Sequence, residues 1–402
     1  MTTCLPVPVV SVTGTPAQCG AAYGAQTAGL VAQIIEAYHR RFADQAGLTR
    51  TAVRAAGAIY QEVTREHHPR VAQMLEGLAD GAGVPAEEIY ATNARTELIY
   101  GSPAQLHTGS AARAAGLARG DGGPGVPSGG PCPDGPDGGC TSLGVLGTHT
   151  ASGHLLLAQN WDWHPDQRDT MLLLRTTDER GHTVLALTEA GMLAKTGLSS
   201  AGVGICVNML GCDRDGLPPG ARPGVPYHVL VRAALEAEHL PNALRRTVRP
   251  PRNSSINLLL GQAGSGPEGG EMVNLELVPG DVGWLHPVDG IITHANHFDT
   301  PLRVYDTIKD WGGSSLFRAA RARRLLTPAA LAGKVSEDDL AGVLRDHAGF
   351  PLAICRHAEE RDAWYDRAET VYSVLLDLDE RRMAVAAGPP CTGDYAWVDL
   401  LP

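Results

Sequence analysis

Residues 129–150 read GGPCPDGPDGGCTSLGVLGTHT, and the break inside this stretch decides how the chain folds. Ahead of Cys140 glycine and proline dominate: Ser110–Gly139 holds ten glycines and five prolines, too little apolar surface to offset the entropy of ordering. That segment is expected to be a mobile loop or linker. From Cys140 the chain switches to CTSLGVLG and HLLLAQNW, two apolar runs joined by the turn-like THTASG, which is the pattern of antiparallel strands. TMLLLRTT, TVLALTE and VGICVNM continue the pattern, further strands are expected at 254–261 and 272–277, and 370–388 reads as a hairpin.

Upstream of the break, residues 15–100 read as helical. Thr15 followed by Pro16 is a cap and first-turn signature, and Leu30, Ile34, Tyr38 and Phe42 recur at fourfold spacing on one helix face. Further helices are expected at 51–65, 67–80 and 86–100, and later at 225–238, 314–326 and 336–346. Helices first, strands next and alternation afterwards make an α+β fold of sheets covered by helices.

A chain of 402 residues with 43% hydrophobic content can bury a sizeable core. Its formal net charge of -11 argues against nucleic acid or an anionic membrane surface as partner, so a small molecule is expected. MTTCLPVPVVSVTG lacks the basic start of a secretory signal, and no stretch approaches the roughly 20 apolar residues of a spanning helix. Eight cysteines lie scattered without a CxxC pair, as expected of reduced thiols in a cytoplasm. No metal site stands out: His67 and His68 are adjacent rather than four apart, and no phosphate-cradling GxxxxGK[ST] run occurs.

Gly138 and Gly139 lack Cβ atoms, so the peptide before Cys140 can adopt a strained geometry that exposes its carbonyl carbon to the neighbouring thiol. Attack there, followed by hydrolysis, would cut the chain and leave Cys140 as a new amino terminus. The freed α-amine, with a reference pKa of about 7.7–8.0, could then take the thiol proton. Nucleophile and base would sit on one residue.

The phrases NARTELIYG (93–101), GCTSLG (139–144), QNWDW (159–163), LTEAGMLAKTGLSSAGVGICVN (187–208), GVPYHVLVRAALE (224–236), THANHF (293–298) and AICR (353–356) occur in one order around that Gly-Cys. With them the chain resembles, along nearly its whole length, the isopenicillin N acyltransferase family of self-processing cysteine N-terminal-nucleophile hydrolases. The resemblance implies a four-layer αββα sandwich of two antiparallel sheets between helices. It implies cleavage between Gly139 and Cys140 into an α-subunit of residues 1–139 and a β-subunit of 140–402, together one domain and an αβ heterodimer. It also implies that Asp162 hydrogen-bonds the amine of the nucleophile and that Ser255 matches a serine needed by relatives.

Asn296 in THANHF is the oxyanion-hole candidate, because an amide N–H stabilises developing negative charge without ionising. Asn160 either supports Asp162 or points into a neighbouring strand. Arg356 could neutralise a substrate carboxylate or organise Asp162; in AICR, Ala353 stands where fungal relatives have serine. No cofactor is required, and the acyl donor is a small amide or an acyl thioester such as an acyl-CoA. Two other readings compete. One is an uncut cysteine hydrolase with His294 or His297 as base. The other is a non-enzymatic module binding small acyl compounds, with Cys140 structural.

Overall fold

Every residue of Leu156–Trp163 is buried although successive side chains on a strand point in opposite directions, so this strand is covered on both faces. Leu157, Trp161 and Trp163 enter one apolar cluster, and Leu156 and Ala158 enter another. Such double burial requires a layer on each side. The computed structural model supplies both; it describes residues 5–100, 139–217, 220–264, 269–310, 313–362, 364 and 367–401. The linker expected over Ser110–Gly139 lies outside the described residues except for Gly139.

The described strands form two sheets. The larger runs in the order β1 (Val9–Gly14), β4 (Met171–Asp178), β5 (Thr183–Glu189), β6 (Thr196–Ser199), β7 (Val203–Met209), β8 (Ile256–Gln262), β9 (Glu271–Val278), β10 (Asp281–Leu285). The smaller runs β11 (Ile291–His294), β2 (Thr141–Val145), β3 (Leu156–Trp163), β12 (Glu369–Asp377), β13 (Arg382–Ala387), β14 (Ala396–Asp399). All neighbours are antiparallel except β1 and β4, which pair in parallel at the edge of the larger sheet. The strands expected from the pattern are present. β1, β6, β10, β11 and β14 are additions, short or edge segments whose pairing is settled by neighbours remote in sequence.

Five helices precede the first glycine-rich break: α1 (Pro16–Ala46), α2 (Arg50–His67), α3 (Pro69–Ala82), α4 (Ala86–Asn93) and α5 (Arg95–Ile99). α1 starts where expected, with Thr15 and Gln18 forming a reciprocal capping box, and Gly47 in the left-handed conformation ends it. Ile34, Tyr38 and Phe42 are buried and Leu30 packs beside them. α1 to α5 and α6 (Tyr227–Leu235) cover Leu172 and Leu174 on the outer face of the larger sheet. α6 and α7 (Leu240–Val248) cover Ile205, Ile256 and Leu258 on the same face. α8 (Ser315–Leu331) and α9 (Glu337–Leu344) cover Leu143, Val145, Leu156 and Ala158 on the outer face of the smaller sheet. Leu157, Leu173, Leu187, Leu259 and Met272 fill the space between sheets. The result is the four-layer αββα sandwich.

α1 and α3 approach so closely that a Cβ at Gly20 would sit 2.0 Å from the Met74 carbonyl oxygen. Gly29, on the exposed side of α1, faces open space. Gly20→Ala is therefore expected to destabilise by about 1–3 kcal/mol through overpacking, whereas Gly29→Ala should stabilise by up to about 1 kcal/mol through helix propensity. Urea midpoints of the two variants, moving in opposite directions, check this.

Candidate active site

Thr141 pairs with Asn160 across β2 and β3, so the ladder brings Cys140, one residue earlier, beside Trp161 and Asp162. Alternation along β2 sends Ser142 inward to donate to Asn208 on β7 at 2.7 Å, and Cys140 faces the same inter-sheet space. Its thiol receives the backbone N–H groups of Asp162 and Met209. Burial pushes the thiol pKa up to about 11 and the Asp162 carboxylate adds to the rise, while those N–H groups and Arg318 offset only part of it. At neutral pH the thiol of the uncut chain is therefore protonated, and it needs a base to become a nucleophile.

The cavity beside Cys140 has an aromatic wall and a charged corner. Trp161 lies 6.0 Å from Trp163 and 4.9 Å from Tyr372 between ring centroids. Arg95 lies over Trp163 at 4.2 Å and Lys195 over Trp161 at 4.1 Å, both attracted by ring quadrupoles. The fully buried Glu189 accepts from the Tyr38 hydroxyl at 2.8 Å and lies 3.6 Å from both Arg95 Nε and Lys195 Nζ. His228 Nδ1 lies 3.0 Å from the Asn93 carbonyl oxygen, which only accepts, so Nδ1 carries the proton. Its Nε2 then accepts from Lys195 Nζ at 3.3 Å. Burial, helped by the Arg95 cation, holds Lys195 well below the usual lysine range, and burial together with Lys195 does the same to His228. The corner thus sets the Arg95 guanidinium against Glu189, with burial disfavouring the protonated forms of Lys195 and His228 beside them.

Arg318 on α8 fixes the peptide that precedes the strand. Its Nη1 donates to the Cys140 carbonyl oxygen at 2.6 Å and to Thr141 Oγ1 at 2.8 Å, and its Nη2 donates to Asn296 Oδ1 at 2.7 Å. Because a guanidinium only donates, the Asn296 amide oxygen must face it, and Nδ2 turns to donate to the Met209 carbonyl at 2.9 Å. Gly139 packs on the same group: a Cβ there would lie 2.5 Å from Arg318 Nη2. Cys140, Gly139 and Asn296 are thus gathered around one cation, Asn296 standing beside Cys140 and not in the cavity wall.

Asp162 lines the cavity with Cys140, alternates with Trp161 and Trp163 along β3, and is 1% exposed. Thr370, its partner across β12, donates from Oγ1 to Asp162 Oδ1 at 2.7 Å and accepts from the Arg356 backbone N–H at 3.0 Å. Arg356 also donates from Nε to the Ala368 carbonyl at 3.2 Å and does not line the cavity, so it organises the surroundings of Asp162. Asn160 takes the alternative left open by the sequence. Its Nδ2 donates to the Leu344 and Ile354 carbonyls, both at 2.8 Å, on the helix-covered face away from the cavity.

Ser255 donates to Asp215 Oδ1 at 2.6 Å with Cys212 alongside, and the structure does not place it in the cavity wall. His294 engages Glu276 and the Ala295 carbonyl, each at 2.9 Å. His297 pairs with Ser315 at 2.9 Å and Asp299 at 3.3 Å. Neither histidine lines the cavity, so neither is placed as a base for Cys140. Sequence reasoning missed Arg318, one arginine among several in a helical run, and assigned no role to Arg95, Glu189 or Lys195. The last three lie inside NARTELIYG and LTEAGMLAKT, phrases that carried the signal.

The profile of the acyl-coenzyme A:6-aminopenicillanic acid acyl-transferase family matches residues 148–391. The 40 kDa form of acyl-coenzyme A:6-aminopenicillanic-acid-acyltransferase from Emericella nidulans is 24% identical over 396 residues, covering 97% of this chain and 95% of that protein. Among solved structures, a conjugated bile acid hydrolase from Clostridium perfringens is 11% identical with a TM-score of 0.42, covering 64% of this chain and 92% of that one. A penicillin V acylase from Agrobacterium tumefaciens is 10% identical with a TM-score of 0.41, covering 65% and 86%. Likenesses this remote add nothing to the fold described above.

One buried carboxyl near the cavity gives a pH signature. Glu97 accepts from the Tyr227 backbone N–H and from Ser254 Oγ, each at 2.9 Å, and burial pushes its pKa up to about 7 from an ordinary 4.5. Between these values the unfolded chain has released the proton that the folded chain still holds, so its contribution to stability falls as pH rises from about 4.5 to about 7, by up to about 3 kcal/mol. Glu97→Gln should flatten that fall, as read from urea midpoints across the same pH range.

Proposed function

Because the chain belongs to the acyl-coenzyme A:6-aminopenicillanic acid acyl-transferase family, we propose that it is a self-cleaving N-terminal-nucleophile enzyme that transfers or hydrolyses acyl groups through a thioester on Cys140. The observation that carries this reading is the placement of the thiol. It stands at the foot of an inner strand, beside a small cavity, with the preceding glycine held against Arg318.

In the maturation step, Cys140 Sγ attacks the Gly139 carbonyl carbon and its proton passes to the departing Cys140 nitrogen. The C–N bond breaks and a thioester forms. Water then cleaves the thioester, leaving a Gly139 carboxylate and a free thiol and amine on Cys140. The products are an α-subunit of residues 1–139 and a β-subunit of 140–402.

In turnover the α-amine removes the thiol proton, which overcomes the protonated state that burial imposes on the thiol. Asp162, anchored by Thr370, orients that amine. The thiolate attacks the substrate carbonyl, and one N–H of the Asn296 amide, whose other N–H donates to Met209, stabilises the oxyanion. The leaving amine or thiol takes the proton, and water or an amine accepts the acyl group from the thioester. The wall of Trp161, Trp163 and Tyr372 suits an apolar acyl group. An acyl-CoA is an admissible donor and 6-aminopenicillanic acid, named for the family, an admissible acceptor. A free thiol nucleophile is best kept in a reducing compartment, which supports a cytoplasmic location.

Intact mass spectrometry tests this reading. Wild-type protein should yield fragments of 139 and 263 (402 - 139) residues. Cys140→Ala should remain whole and inactive towards amides and acyl-CoA donors. A wild-type chain that is active while uncut, or a cleaved and active Cys140→Ala protein, would overturn the proposal. Asp162→Asn should lower kcat by about 100-fold or more once the chain is cut.

A further inference from the structure

Outside the cavity, four side chains with metal-ligating atoms converge near the surface: His347, Cys355, His357 and Cys391, whose ligand atoms all lie within 4.8 Å of one another. His347 Nε2 is 3.3 Å from His357 Nε2, Cys391 Sγ is 3.4 Å from His357 Nε2, and Cys355 Sγ is 3.7 Å from the same nitrogen. A tetrahedral zinc with bonds of about 2.0–2.1 Å to nitrogen and about 2.3 Å to sulfur sets its ligands about 3.3 Å apart for two nitrogens and about 3.6 Å for nitrogen and sulfur. The separations observed bracket those values. Two thiols and two imidazoles, moreover, are the donor set that zinc takes in closed structural sites.

The frame around the four is built by bonds that use none of their ligating atoms. Phe350 N–H donates to the His347 carbonyl at 2.9 Å, Cys355 N–H to the Asp346 carbonyl at 3.0 Å and His357 N–H to the Pro351 carbonyl at 3.0 Å, which folds the loop between α9 and β12 on itself. Arg321 grips Asp346 with two bonds of 2.6 and 2.7 Å. Cys391 comes from the turn after β13, and Arg345 ties that turn to the loop through the Pro390 carbonyl at 2.8 Å and the Gly393 carbonyl at 3.3 Å. Ligands held this way lose little freedom on binding, which favours affinity.

We propose that His347, Cys355, His357 and Cys391 bind one zinc ion in a closed, structural site. Four protein ligands leave no open position for a substrate, so the ion acts by holding two loops together. Arg356 lies between two of the ligands, and its backbone N–H meets the threonine that anchors Asp162. The Ile354 carbonyl beside them receives Asn160. The ion therefore braces the segment behind Asp162. Positions 347, 355, 357 and 391 form no CxxC or HxxxH pattern, so motif spacing does not bring the four together in the sequence.

The test uses tag-free Cys140→Ala protein purified under reducing conditions, so that its outcome is independent of self-cleavage. Elemental analysis should find about one zinc per chain after dialysis, and cobalt replacing it should give the thiolate charge-transfer and visible bands of a tetrahedral sulfur-containing site. Cys391→Ser and His357→Ala, checked for folding by circular dichroism, should bind zinc at least about tenfold more weakly and lose intensity in those bands. Protein that neither retains zinc nor gives a cobalt–thiolate band when reduced would overturn the proposal. So would variants that bind zinc as the parent does, or a Cys355–Cys391 disulfide found as the loss of two hydrogens in the intact mass of unreduced protein.

Discussion

Burying a guanidinium is costly unless its donors are satisfied, and the terminal nitrogens of Arg318 donate to Cys140, Thr141 and Asn296 while its Nε donates to Ser314 Oγ. The acceptors of the terminal nitrogens come from three places: the residue ahead of β2, β2 itself and the turn after β11. The cation reaches them from α8, a helix on the outer face of the smaller sheet. One charge thereby sets the start of β2 relative to the layer that covers it. Gly139 is required because any side chain would enter the same space. The position of the thiol follows from this clamp as much as from the strand.

β3 divides the chemistry in a complementary way. Its inward face gives Gln159, Trp161 and Trp163 to the cavity, whereas its outward face turns Asn160 to the Leu344 and Ile354 carbonyls and Asp162 to Thr370, with Asp162 still part of the cavity lining. The thiol then meets backbone N–H groups in place of a side-chain base. Burial lowers the proton affinity of both Lys195 and His228 nearby.

The main lines of this arrangement were legible in the sequence because they rest on local chemistry. The switch from glycine and proline to apolar residues at Cys140 marks the strand, and Thr15-Pro16 marks the helix start. What was hidden rests on long-range packing. β1 reads as a stray apolar run until β4 returns beside it in parallel. Asn160 and Asp162 share one strand face and differ only in what packs over them, the Leu344 and Ile354 carbonyls in one case and Thr370 in the other. Glu189 and Lys195 look like surface charges in a string of letters, and only burial beside Arg95 gives them their meaning.

The parallel edge strand has one more consequence. β1 and α1 to α5 precede Cys140, yet β1 is hydrogen-bonded to β4, and the helices share their apolar cluster with Leu172, Leu174 and Leu230, which follow it. Severing the peptide at Gly139 would thus create new chain ends without creating separate bodies. The larger sheet and its cover are divided between the pieces: the first has helices and one strand without a sheet, and the second lacks β1 and the helices that cover Leu172 and Leu174. Exchange of the first piece between molecules would require the sandwich to unfold, so the cut would be irreversible in a mechanical as well as a chemical sense.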